Sequence, residues 1–332
     1  MINRRKFCTL TAGTLLLGPM TSSWAARSDS HELRLSHNLT TDHSVHKAMA
    51  MMGERLSELT NGAVTLRIYP GAQLGTQRES VELVQRGILD MAKTNASELE
   101  AFDPVFSVLN VPYLFTSRDH FYQALTGEIG RELFQASRNR GFEGVTFYDS
   151  GARSFYATRP IHTPDDLYNM KIRVQPSATA IAMTQLLGAS PTPLDFGDLY
   201  TALQQGVVDG AENNPTALVT ANHGEVSKFF TLDEHTRVPD MLVISSKALE
   251  RLSSAQREAL YQAAHESMMF QKDAWESASE QAIATAKADM GVEFIQVDQA
   301  LFADRTRPLR NDIAAQSAQS KKMIQKIERL SA

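Results

Sequence analysis

Three short stretches gather side chains able to recognise an anion. In "NMKIRVQPS" (169–177), apolar Met170, Ile172 and Val174 alternate with Lys171, Arg173 and Gln175. That is the period of a half-buried strand, and Pro176 ends it because proline has no amide hydrogen for a ladder. On the polar face Arg173 is either an ordinary solvated arginine, which the strand alone favours, or a planar fork offered to an anion. In "GARSFYAT" Arg153 follows Gly151 at the start of an apolar run, either as a strand-edge surface residue or as a second cation of a site. In "AENNPTAL", Asn214 before Pro215 has the form of a helix N-cap with proline in the first turn. Glu212 and Asn213 then sit beside a helix N-terminus, where an anion is favoured, although Glu212 is equally suited to pairing with an arginine.

Other polar and aromatic positions leave both readings open. His235 in "LDEHTRVPD" fits a capping or surface residue as well as a functional one. Phe196 fits the core or a platform for a ligand ring. His43 and His46 have helical spacing, and without further ligands they read as solvated rather than metal-binding. No HExxH, GxSxG, P-loop or GxGxxG pattern occurs, so no catalytic constellation stands out and no cofactor is implied.

The elements that must position these residues follow from the whole chain. Its 332 residues, 42% hydrophobic and 21% charged, have ordinary globular composition and suffice for two domains. A formal charge of −5 gives no reason to expect nucleic acid as a partner. Residues 1–25 have the form of an export signal: Arg4, Arg5 and Lys6, a short apolar core, then small Ser23 and Ala25. "NRRKF" is twin-arginine-like, the apolar core is too short to span a bilayer comfortably, and a periplasmic protein starting near Ala26 is expected. The single cysteine, Cys8, lies in that signal, so the mature chain is expected to have no disulfide and no thiol chemistry.

Two segments match: "VQRGILDMAKTN" (84–95) and "LQQGVVDGAENN" (203–214) share Gln, Gly, Asp, Ala and Asn at equivalent places. Each reads as a helix closed by a left-handed glycine, a short apolar strand (Ile88-Leu89, Val207-Val208) and a polar loop. The repetition predicts two α/β lobes whose strand ends face a shared crevice, where such folds bind ligands. Residues 253–291 form one long helical pattern, with a capping-box-like start and Gly291 at its end, long enough to brace both lobes.

"YPGAQLG", "GILDMA", "LNVPYLF", "GAR", "MKIRVQPS" and "ALQQGVVDGAENN", in that order behind an export signal, resemble the extracytoplasmic solute-binding subunits of tripartite ATP-independent periplasmic (TRAP) transporters. The resemblance implies an α/β, two-lobed, periplasmic-binding-protein-like fold with the ligand cleft between lobes. The expected division is 26–150 plus 239–278 for lobe I and 151–238 plus 279–332 for lobe II. It implies a receptor, not an enzyme, that hands a carboxylate-bearing solute to membrane permease subunits. By the same resemblance Arg173 takes the ligand carboxylate in a bidentate pair, and Arg153 is a second arginine frequent in sugar-acid binders. Asn213, Phe196, Asn38, Gln77 and Asn95 match pocket positions, with His37, Glu79 and His235 nearby. "ENNP" carries one residue more before proline than the "ENP" of sialate-binding members, which leaves Asn213 and Asn214 as alternatives. Two arginines, several amides and Glu79 suit a hydroxyl-rich acid, first a hexuronate such as D-glucuronate or D-galacturonate. A four-carbon dicarboxylate with Arg153 on its second carboxylate is the alternative. A sugar-acid lyase with His37 or His235 as base, or a receptor presenting its ligand to a membrane sensor, are readings of other classes.

Overall fold

The computed structural model describes residues 30–330, so the export signal expected over 1–25 lies outside the described residues. Three parallel strands, β1 (His31–Ser36), β2 (Val64–Tyr69) and β3 (Met91–Asn95), lie side by side, and β3 is buried throughout where a polar loop is expected after Ile88-Leu89. With β4 (Phe142–Tyr148) and β10 (Asp240–Ser245) they make a five-stranded sheet in the order β2-β1-β3-β10-β4. The second sheet is built from β5 (Ser154–Ala157), β6 (Lys171–Val174), β7 (Ser190–Pro193), β8 (Gly210–Asn213), β9 (Phe229–Thr231) and β11 (Glu293–Ile295). Its order is β11-β9-β5-β8-β6-β7, giving two α/β lobes.

The duplicated segments occupy equivalent places. β2-β1-β3 and β7-β6-β8 are both parallel triplets, and each gains an antiparallel neighbour, β10 beside β3 and β5 beside β8. Both preceding helices end at a left-handed glycine, Gly87 with φ 72° and Gly206 with φ 67°. Asp90 accepts from the Arg34 N–H at 2.9 Å, and its counterpart Asp209 accepts from the Lys171 N–H at 2.7 Å. The strands begin later than the apolar pairs 88–89 and 207–208. Leu89 and Val208 anchor turns into the core, while Ile88 and Val207 stay exposed.

The chain passes between the sheets at 149–153 and again at 232–239, and the two crossings are tied together. The Arg153 N–H donates to Thr236 O at 2.8 Å, and Ser150 Oγ donates to Val238 O at 2.5 Å. The long helix Ser254–Ala288 starts at a capping box between Ser253 and Gln256. Its buried Gln271 grips the first crossing, accepting from Asp149 N–H at 2.9 Å and donating to Asp149 O at 2.8 Å. The expected division placed everything after 278 with the second lobe, but the last helix, Ala318–Leu330, packs on first-lobe helices. There Lys326 pairs with Glu128 at 2.9 Å and His120 Nε2 donates to Ile327 O. Burial of Met323, Ile324 and Ile327 against that side outweighs their nearness in sequence to the second lobe.

Candidate functional site

Between the sheets lies a cavity enclosing about 510 Å³ of empty space, part of it open to solvent. Loops at the ends of β1, β3, β6 and β8 build it, as the parallel triplets require. From the first lobe come Asn38, Gln77, Lys93, Asn95 and Asp240; from the second, Arg173, Phe196, Asn213 and Asn214. Arg153, Ser150, His43 and Gln175 complete much of the remaining wall.

Arg173 is the largest fully buried side chain of the described residues, 1% exposed. β6 is therefore not a half-solvated strand: Ile172, Arg173 and Val174 are all buried, and only Lys171 faces water. Arg173 Nε donates to Leu194 O at 2.8 Å, whereas Nη2 is buried without a partner. Burial lowers its pKa, with Glu212 acting in the opposite sense, and a guanidinium stays charged through such a shift. Leaving buried donors of a cation unmet is costly, and an incoming anion removes that cost.

Arg153 is in the opposite state. Its Nε and Nη2 meet Glu212 Oε2 and Oε1 at 2.5 and 2.9 Å, Nη2 also reaches Glu212 O at 2.7 Å, and Nη1 reaches Asn213 Oδ1 at 2.9 Å. Burial works against the Glu212 carboxylate, but Arg153 and His235 outweigh it and hold its pKa at about 2. His235 sits behind, with Nδ1 2.7 Å from Asp233 Oδ2 and Nε2 3.5 Å from Glu212 Oε2. Burial opposes its charging too, yet the two carboxylates push it up to about 9. The result is an alternating buried row of Asp233, His235, Glu212 and Arg153.

The amides are arranged with donors to spare. Asn213 Oδ1 accepts from Arg153 and from the Asn214 N–H, and Asn214 Oδ1 accepts from Thr216 N–H at 3.0 Å, as the N-cap reading requires. Gln77 Oε1 accepts from the Asn95 N–H at 2.9 Å, and Phe196 meets His223 edge-on with ring centroids 5.5 Å apart.

Three expected residues do not line the cavity. His37 bonds His46 at 2.9 Å, because it sits at the end of β1 facing the first helix rather than the cleft. Glu79 is exposed and closes a capping box with Thr76, a local demand of the helix start that takes its carboxylate. His235 is sealed behind Arg153. Conversely, His43 is not solvated: it is buried as the cap of helix Ser44–Leu59 and lines the cavity, with burial and Lys93 lowering its pKa to about 4. Lys93 and Asp240 escaped the sequence reading. The duplicated segments held the signal, since they place Lys93 opposite Glu212, already noted as a carboxylate able to pair with an arginine.

Two α/β lobes enclosing a polar cavity in which a buried guanidinium keeps one nitrogen unmet define the class: a receptor for a small anionic solute. The chain belongs to the bacterial extracellular solute-binding proteins, family 7, whose model matches residues 35–317. It is 40% identical over 267 residues, 80% of this chain and 82% of its relative, to the uncharacterised protein YiiZ of Salmonella typhimurium. Among solved structures it resembles a TRAP periplasmic solute-binding protein of Anaerococcus prevotii with bound D-glucuronate (TM-score 0.88, 35% identity, 91% and 98% of the two chains). A second neighbour, from Xanthobacter autotrophicus with bound β-D-galacturonate, gives a TM-score of 0.87 at 33% identity over 90% and 99% of the chains. The family and these neighbours are solute receptors. No helix among the described residues is long and apolar enough to cross a membrane.

Proposed function

We propose that this chain captures a hexuronate, D-glucuronate or D-galacturonate, in the periplasm and delivers it to TRAP permease subunits. The observation that carries the reading is the buried, unpartnered Nη2 of Arg173 in a cavity that also presents several amides and the aromatic Phe196. Its fork holds the carboxylate bidentately, and Asn213, Asn214, Asn95, Gln77 and Asn38 meet the hydroxyls while Phe196 covers the ring. Uronates in two structural neighbours support the same chemistry. A four-carbon dicarboxylate is less well served, because every nitrogen of Arg153 is already engaged by Glu212 and Asn213 and offers no free fork to a second carboxylate. A lyase is also less well served: His37 and His235 do not line the cavity, and His235 is held protonated by Asp233 and Glu212.

Isothermal titration with D-glucuronate, D-galacturonate, sialate and succinate tests this. Micromolar or tighter binding of a uronate, about 8 kcal/mol, is expected. Arg173→Lys, which keeps the charge but not the planar fork, should weaken it at least about 100-fold. Normal binding by that variant, or preference for succinate, would overturn the assignment; uronate turnover would establish an enzyme.

A further inference from the structure

At the pole of each lobe away from the cavity, the repeated glycine turn exposes one apolar residue: Ile88, 55% exposed, and Val207, 48% exposed. The charge around the two turns differs. In the first lobe Arg34 Nη2 donates to Ile88 O, Lys247 Nζ donates to Arg86 O at 3.0 Å, and Arg251 reaches Asp90 of the same turn. Gly141 adjoins it, accepting from Ser246 N–H at 2.9 Å and lying where a Cβ would meet Gln85 O at 2.7 Å. That contact brings Arg138 and Arg140 alongside. Four of these guanidiniums are about half exposed above buried carboxylates: Arg34 and Arg251 share Asp90, Arg138 has Glu143, and Arg140 has Asp103. Arg86 and Lys247 are exposed and have no carboxylate partner among the described residues. Glu82, one turn before Arg86, is engaged by Arg78 at 3.3 Å. Set against Asp90, Asp103, Glu143 and the exposed Glu250, the six cations leave a net charge of +2. The chain as a whole carries −5, and −8 without Arg4, Arg5 and Lys6 of the expected export signal. In the second lobe Gln205 stands where Arg86 does, and Arg159 leans on Asp166 O at 3.3 Å, beside exposed Asp165.

We propose that the Ile88 pole of the first lobe docks on the surface of an anionic phospholipid bilayer. Guanidinium forks match phosphate oxygens, and the carboxylates beneath them hold the forks facing outward before any headgroup arrives. Ile88 stands among them as an aliphatic tip able to enter the boundary between headgroups and acyl chains. A soluble polyanion would meet the cations and leave Ile88 in water. The acidic remainder of the molecule is repelled by a negative surface, so the field turns this pole toward it. The cations act within about one Debye length, about 10 Å at 0.1 M salt, so the attachment is salt-sensitive. The pole precedes β3 and follows β10, at the strand ends opposite Asn95 and Asp240 of the cavity, so docking leaves the cavity clear. The inference goes beyond the uronate reading and does not depend on which acid is bound.

Flotation of the mature chain with vesicles of phosphatidylcholine alone, and of phosphatidylcholine with phosphatidylglycerol, tests this. At low salt wild type should partition onto the phosphatidylglycerol vesicles at least about tenfold better, and high salt should release it. Arg86→Glu with Lys247→Gln, which breaks no ion pair, should lower that partition at least about tenfold. Ile88→Ser should lower it as well, whereas Gln205→Glu with Val207→Ser, the matching changes in the second lobe, should leave it unchanged. Equal partition onto the two vesicle types, undiminished partition of either first-lobe variant, or the same loss from the second-lobe changes would overturn the proposal. Retention on immobilised heparin without vesicle partition would also overturn it, by showing a general affinity for polyanions. Far-UV circular dichroism establishes that each variant is folded, and no uronate enters the assay, so this inference and the uronate reading fail separately.

Discussion

Arg173 and Arg153 share burial and charge but differ in partners, and that difference sets their roles. Arg153 is held by the Glu212 carboxylate, and His235 lies behind it with Nε2 3.5 Å from Glu212 Oε2. The His235 pKa is raised from 6.5 to about 9 because Asp233 and Glu212 outweigh the burial that opposes charging. A raised pKa stabilises the fold fully below about 6.5, and the contribution is lost as pH rises through about 9. Urea denaturation should therefore show wild-type stability falling between pH 7 and 10, by on the order of 3 kcal/mol from this group. His235→Gln should be less stable at pH 7 and nearly flat across that window; an equally steep fall in the variant would show that another group is responsible.

At the scale of elements, two left-handed glycines show how the same conformation serves different constraints. Gly206, φ 67°, ends a helix with nothing within 4 Å of where a Cβ would stand. Gly206→Ala should cost only the backbone term, about 1 kcal/mol. Gly151, also φ 67°, lies in the first crossing between lobes, and a Cβ there would meet the Trp275 indole at 3.1 Å. Gly151→Ala adds this clash to the same backbone term, so a denaturation series should place it clearly above Gly206→Ala; equal costs would mean that the crossing yields freely. The helix ends, capping boxes and parallel triplets were legible from glycines, caps and alternation. The strand starts were not, because Leu89 and Val208 are apolar for the sake of buried turns.

For the whole molecule, the cavity is lined from both sheets, so a ligand that bonds Arg173 and the first-lobe groups together favours the closed arrangement. Trp275 on the long helix joins this to a readout. It packs on Gly151 of the crossing and lies 6.1 Å, centroid to centroid, from the cavity residue His43. The other of the two tryptophans, Trp24, falls within the expected export signal, so emission of the mature protein reports on Trp275. Uronate addition should change that emission, reduce the radius of gyration in X-ray scattering, and at 100 times its dissociation constant stabilise by about 2.7 kcal/mol. Tight binding with unchanged scattering and emission would mean that ligand does not move the lobes.

By itself the sequence determined the α/β elements, the glycine-closed helices, the repeated unit and the long bracing helix, because each depends on spacing and turn chemistry within a few residues. The family resemblance then singled out Arg173. Only the tertiary structure decided which polar groups are spent and which remain free. Arg153 meets a carboxylate 59 residues away and is fully engaged by it and its neighbour, whereas Arg173 keeps an unmet nitrogen. Lys93 meets Asp240 only because the chain, on its return from the second lobe, lays β10 beside β3. Buried charges are settled by partners brought together from distant strands, and that pairing has no local signature in the chain.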